Sequence, residues 1–362
     1  MTLTVGCGVG SIHEVYGGCN LADIKGNVTL NLFGGTINGE AFGGSNRNGN
    51  ITGMITVNMI DQKVQNCGLT VHNIYGAGNL TAYDPNGDVV VSPVVNLIHG
   101  TVSKSSTTAT DGNVFGGAKG TATYPPTVTA SPKVNIGYVD EIALPQDITV
   151  SESQVNVKGN VYGGGNLAPV AQGTSVTMQR KETTNSYTSM VDGSLFGGGK
   201  EAAVTGATAV TINDGTVGVD VYGGGELATT GSSLVTLNNG TVTRDIYGGG
   251  LGADGLPANI GETQVVINGG TVRDVYGCNN VNGAPTIRAT VTFGQSSTGS
   301  ARNVYGGGNQ ASTGETVPVT VNFNLGSADT VFGGGQSASV GYSTVNIAGG
   351  AIAKGVYGGS MI

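Results

Sequence analysis

The sequence predicts an all-β chain wound as a parallel β-solenoid: a right-handed β-helix of about twelve rungs of about 25 residues, with loops inserted between rungs. Three observations carry this. An apolar–aromatic–Gly core recurs twelve times, with its aromatic at Tyr16, Phe42, Tyr75, Phe115, Tyr162, Phe196, Tyr222, Tyr247, Tyr276, Tyr305, Phe332 and Tyr357. A second element, V-x-I/L-N followed by Gly and T-V, precedes it, clearest in "AVTINDGTVGVDVYGGG" and "LVTLNNGTVTRDIYGGG". The 66 glycines come in clusters, without the strict three-residue period of collagen.

Each element follows from local chemistry. Alternation such as Val210-Thr211-Ile212 or Val345-Asn346-Ile347 is the period of a strand with one buried face. The apolar runs are short and end in Asn and Gly turn signals, and no segment carries a capped 3.6-residue stripe, so helices are not expected. Strands this short bury no core alone; stacking equivalent coils does. Right-handedness follows from the crossover rule for parallel strands. Successive aromatics are 26, 33, 40, 47, 34, 26, 25, 29, 29, 27 and 25 residues apart, a constant unit plus variable loops. The chain therefore reads as one repeat domain, 1–362, with its longest insertions within 76–160 and strand interrupted at "TYPPT" and "ALPQD". Loops leaving one corner after the glycine runs are the expected contact region, with 121–132 dispensable for folding. The ends, "MTLTVGCGVGSIH" and "GVYGGSMI", lack polar caps, so a segment of a longer protein, or end-to-end self-association, is expected.

Composition narrows the function classes. Formal net charge is −8 and no Lys/Arg cluster exists, which argues against nucleic acid and anionic membranes as partners. No apolar run approaches the ~20 residues that span a bilayer, and the start lacks the pattern of a signal peptide. Charged residues make up only 10% while 38% are hydrophobic, so the chain is ordered and hydrated mainly through Asn, Thr, Ser and backbone. Cys7, Cys19, Cys67 and Cys278 show no metal or redox spacing; proximity alone suggests a Cys7–Cys19 bridge.

The T-V-x-x-x-V-Y-G-G-G cadence resembles the glycine-rich β-helical repeats of bacterial surface and secreted proteins, including autotransporter passengers and other large adhesins. The resemblance spans nearly the whole chain and implies a secreted or cell-surface location, with a host or microbial surface glycan or protein as partner. It brings no catalytic residue. The calcium-binding G-G-x-G-x-D nonapeptide is not matched, since "YGGGNLA" and "FGGGKEA" lack its aspartate.

In a stacked array each repeat position becomes a column. The residue before the aromatic is apolar throughout, as in Val221, Ile246, Val275 and Val304, and is core. The residue before that is polar and should face outward by alternation. It reads either as an amide and hydroxyl ladder or, at Asp220, Asp245 and Asp274, as a cation site. The aromatics, including Tyr247, Tyr276 and Tyr305, read either as an outward stripe for sugar faces or as a packed ladder beside glycines with positive φ or close backbone approach. Cys278 takes the second glycine position of its run as a small residue. Arg244, Arg273 and Arg302, in consecutive rungs, read either as a solvated Arg/Asp network or as a cationic strip for an acidic glycan or carboxylated partner.

Enzyme signatures are thin. No GxSxG elbow or Walker loop is present, and His13, His72 and His99 share no motif spacing. The expected function is a non-catalytic, extracellular bacterial adhesin, stalk or matrix component with no cofactor. The alternatives are a polysaccharide-degrading β-helix enzyme with 118–160 as cleft walls and a phage receptor-binding fibre. Thr-x-Val ladders also admit an ice-binding surface.

Overall fold

A computed structural model describes residues 1–8, 10–61, 68–85, 91–137, 154–179, 188–294 and 298–362. The "ALPQD" stretch lies within 138–153, outside the described residues. The chain is all-β, with no helix among the described residues, and its strands pair in parallel from rung to rung as a β-solenoid. It divides into two compact units, Met1–Gly193 and Ser194–Ile362.

In Met1–Gly193 one face stacks Thr2–Val5, Val28–Leu32, Ile55–Ile60, Val94–Val102, Lys133–Gly137 and Thr174–Gln179, each parallel to the next. A second face stacks the motif strands Val15–Tyr16, Glu40–Phe42, Asn73–Tyr75, Val114–Phe115 and Val161–Tyr162. Asparagines of the first face form a ladder, Asn135 to Asn96 to Asn58 to Asn31, each Nδ2 donating to the Oδ1 one rung back at 2.9–3.0 Å. The "TYPPT" stretch, 123–127, leaves a tight turn closed by a Thr121–Tyr124 bridge and carries no regular strand. Just beyond it, Val128 is fully buried and bridges both Tyr83 and Val170. Residues 121–132 therefore contribute to the stack, contrary to the expectation that they are dispensable.

Ser194–Ile362 repeats the arrangement with longer strands. One face stacks Val204–Ile212, Thr230–Leu237, Ile260–Ile267, Pro285–Phe293, Pro318–Phe323 and Tyr342–Ile347. The motif face stacks Val221–Tyr222, Thr241–Tyr247, Thr271–Tyr276, Ser300–Tyr305, Ser327–Phe332 and Ala351–Tyr357. Inward positions such as Val210, Ile212, Val235, Leu237, Val265 and Ile267 are fully buried, as period-2 alternation requires.

The first glycine after each aromatic has a steric cause. None of these glycines has positive φ. A Cβ built on Gly223, Gly248 or Gly277 would instead lie under 3.0 Å from the carbonyl oxygen of the equivalent glycine one rung on. Only a Cα hydrogen fits against that oxygen, so the column is glycine because backbone meets backbone. That carbonyl takes no part in the main-chain ladder, which runs through neighbouring residues (Gly223 N–H to Tyr247 O, Gly224 N–H to Gly249 O). Buried hydroxyls satisfy it: Thr208, Ser233 and Thr263 donate to the carbonyls of Gly223, Gly248 and Gly277, each at 2.6 Å. One rung on, Ala289 holds the hydroxyl's place, and the Cys278 thiol, 3.6 Å away, donates to Gly306 O. Cys278 is fully buried against Ala289 and Val319, and burial raises its thiol pKa far above the ordinary range. It is structural. Cys7 is disulfide-bonded whereas Cys19 is a free thiol, so the expected Cys7–Cys19 bridge is not formed.

Candidate functional site: an arginine-roofed groove

The aromatics form packed ladders. In Met1–Gly193, Tyr16, Phe42, Tyr75, Phe115 and Tyr162 stack in sequence with ring centroids 4.7–4.9 Å apart. In Ser194–Ile362 the series runs from Phe196 through Tyr222, Tyr247, Tyr276, Tyr305 and Phe332 to Tyr357 at 4.7–5.1 Å. Each inner ring spends both faces on its neighbours, which leaves no face on Tyr247, Tyr276 or Tyr305 for a sugar. These tyrosines meet their surroundings through the hydroxyl alone.

The aspartate column requires a correction. Asp220, Asp245 and Asp274 were expected to face solvent, yet they are 4%, 2% and 1% exposed. The strand parity itself holds. Asp220 and Asp245 share a side with the tyrosine two residues on, whose hydroxyl donates back to the carboxylate at 3.2 Å in Tyr222–Asp220 and Tyr247–Asp245. That side is covered, because the segments after the glycine runs fold over it. Asn280 Nδ2 donates to the Tyr222 hydroxyl at 2.8 Å, and the Tyr276 hydroxyl donates to Gln336 Oε1.

The arginines complete the roof. Each reaches back to the aspartate one rung earlier. Arg273 forks Asp245 through Nε at 2.8 Å and Nη2 at 2.5 Å. Arg302 forks Asp274 through Nε at 3.0 Å and through Nη2. Arg244 sits more loosely, with Nε 3.6 Å from Asp220 Oδ1. Backbone closes the network, since the amides of Asp245 and Asn303 donate to Asp220 Oδ1 and Asp274 Oδ1, both at 3.1 Å. Of the two readings of the arginines, the structure forms the Arg/Asp network and leaves 40–55% of the Arg244, Arg273 and Arg302 side chains exposed above it.

Electrostatics follow from this layering. Burial raises the Asp220 pKa, against the lowering effects of the Asp245 amide and Arg244. The Asp245 carboxylate holds the Arg273 guanidinium more firmly protonated than usual. Burial pushes Tyr305 up to about 12, and Tyr222, Tyr247 and Tyr276 further still, so all four hydroxyls keep their protons. The carboxylates of Asp220, Asp245 and Asp274 serve arginine, tyrosine and backbone donors and do not converge on a cation. Among the described residues, no group of three His, Cys, Asp or Glu side chains is placed to hold a metal ion.

Above the network lies an open groove of about 520 Å³, within the ~300–1,000 Å³ typical of ligand sites. It brings together five of the six predicted ligand residues, Arg244, Arg273, Arg302, Tyr247 and Tyr276; the sixth, Tyr305, turns its hydroxyl to Met361 Sδ at 3.3 Å and is not in the lining. Sequence reasoning missed the opposite wall, formed by Asn280, Asn309, Gln310, Gln336 and Ser337. Its signal was the asparagine that closes several glycine runs: Asn309 Nδ2 donates to Asn280 Oδ1 at 2.9 Å, an amide pair running along that wall from rung to rung.

The corresponding corner of Met1–Gly193 is sparser. Lys119 pairs with Glu40 at 2.5 Å, and Glu40 also accepts from Asn73 at 3.1 Å and the Tyr75 hydroxyl at 3.3 Å. The histidines there hold backbone: His72 Nδ1 lies 3.0 Å from Ser103 O, and buried His99 Nδ1 lies 2.9 Å from Asp61 O. No family model matches this chain, and neither a curated protein nor a solved structure matches it.

Proposed function

We propose that the chain is a non-catalytic, extracellular β-solenoid, a surface adhesin, stalk or matrix component whose stacked rungs present the groove of Ser194–Ile362 to a ligand. The observation that supports this best is the commitment of the groove's charges. Its three aspartates are buried and bound to arginine, tyrosine and backbone donors, which suits a rigid surface and removes them from proton transfer. The disulfide at Cys7 is in keeping with an oxidising compartment. The test is prolonged incubation with a panel of neutral and acidic polysaccharides, monitoring new reducing ends and unsaturated products. No product above a heat-treated control is expected. Turnover lost on substitution in the groove would replace this reading with the enzyme reading.

A further inference from the structure

Resting on the reading that this chain binds without cleaving, we propose that the groove takes an acidic polysaccharide, a linear chain of sugar rings bearing carboxylate or sulfate groups. The layering of charge is the first argument. Asp220, Asp245 and Asp274 have side chains 2–6% exposed, whereas those of the arginines above them are 40–55% exposed. The local charge balances, yet it is stacked with the positive layer outward. A guanidinium carries five N–H groups, and Arg273 and Arg302 each direct Nε and Nη2 at an aspartate. The remaining N–H groups point away from that carboxylate. On the opposite wall, Gln336 Oε1 is occupied by the Tyr276 hydroxyl, leaving its amide N–H groups for a ligand. The groove's exposed charge is thus all guanidinium donors, with its carboxylates turned inward to them, which selects for an anionic, oxygen-rich ligand.

Spacing and shape are the second argument. The three arginines occupy consecutive rungs, each a step of about 4.8 Å along the stack, with Arg244 at a register shift between Val242 and Asp245. An extended sugar chain lying along this line can bring successive acidic groups to successive arginines while its hydroxyls meet Gln310, Gln336 and Ser337. An acidic peptide fits less well. Val281 is the one aliphatic side chain among the lining residues, the tyrosine faces are taken, and the motif strands are already paired with the rungs on either side. A peptide finds neither an apolar anchor nor a free strand edge there.

Titration calorimetry on the full 362-residue chain tests this, with polygalacturonate, chondroitin sulfate, dextran and poly-glutamate as probes. Binding to polygalacturonate or chondroitin sulfate, weakening with added salt, and none to dextran is expected; the two acidic probes distinguish carboxylate from sulfate. Because removing an arginine alone strands a buried carboxylate, the variants are paired: Asp274→Asn with Arg302→Gln, and Asp245→Asn with Arg273→Gln. Asn303 already occupies the next position of this column, so asparagine suits it. Each pair should lower affinity about tenfold or more with little change in melting temperature. Arg244→Gln, at the loosely held position, provides a single substitution with the same expectation. Failure to bind either acidic polysaccharide, undiminished binding by all three variants, or equal affinity for poly-glutamate would overturn the proposal. Cleavage of a probe is a separate failure, read in released products and not in affinity, and would overturn the non-catalytic reading beneath it.

Discussion

Substituting Gly248 by alanine tests the stacking argument most directly. The new Cβ would lie under 3.0 Å from the Gly277 carbonyl oxygen and 3.0 Å from Thr263 Cβ, and neither neighbour is a flexible side-chain end. Relief requires one rung to move from the next by roughly half an ångström or more, against a spacing of ~4.8 Å. Two hydrogen bonds lie in the path, Gly248 N–H to Tyr276 O at 2.9 Å and Thr263 Oγ1 to Gly277 O at 2.6 Å. Overpacking costs about 1–3 kcal/mol, and each weakened hydrogen bond about 0.5–1.5 kcal/mol. The stiffer unfolded chain returns about 0.4–1 kcal/mol. The net loss is roughly 1–6 kcal/mol, or on the order of 10 °C in melting temperature for a unit of this size. Gly358→Ala is the control. It lies in the same column with nothing within 4 Å of its Cβ position, so only the unfolded-state contribution survives and stability should hold or rise slightly. Thermal melts followed by circular dichroism compare the two. A Gly248→Ala chain melting within about 2 °C of the parent, or a Gly358→Ala chain falling as far, would refute the claim that backbone contact fixes this column.

Three further outcomes follow from the same geometry. Ser233→Ala should lose about 1–3 kcal/mol in urea unfolding, since the buried Gly248 carbonyl forfeits its 2.6 Å donor. Ala289→Ser should gain up to about 1 kcal/mol by supplying Gly306 O with the hydroxyl its rung lacks; no gain would show that the Cys278 thiol already suffices. The raised folded-state pKa of Asp220 means that its burial favours folding most below the unfolded carboxylate pKa, and that this advantage is lost as pH rises through the folded value. Asp220→Asn should therefore be more stable than the parent near pH 7, with the difference shrinking as pH falls toward 4, as read from urea midpoints across pH. A difference that grows on acidification would reverse the assignment.

Much of this architecture is visible in the residues themselves. The recurrence of Val275-Tyr276-Gly277 and its equivalents defines the rungs, and the alternation of Val265 and Ile267 defines the buried face. The hydroxyl ladder was within reach too, because Thr208 shares the parity of Val210 and Ile212 and so points inward. What could not be read was the burial of Asp245 and Asp274. Parity says which side of a strand a residue occupies, not whether a later segment covers that side. The cover comes from Asn280 and Gln336, which lie 58 and 60 residues from the tyrosines whose hydroxyls they meet. The pairing of each arginine with the preceding rung was equally hidden, since Arg273 adjoins Asp274 in sequence yet forks Asp245.

That offset pairing bears on how such a chain can lengthen. The units of Arg244-Asp245 and Arg273-Asp274 each carry one guanidinium directed backward and one carboxylate offered forward, and the Arg302 unit, with Asn303 in the column, ends the series. A gene duplication copying one whole unit, such as residues 248–276, would insert a cation that finds the old anion and an anion that awaits the old cation. Growth by complete units leaves this column of buried pairs balanced, however many are added. A duplication of part of a unit that copied Asp274 without Arg273, or the reverse, would strand a buried carboxylate or an unmatched guanidinium, so the charge pattern itself favours changes in length by whole turns.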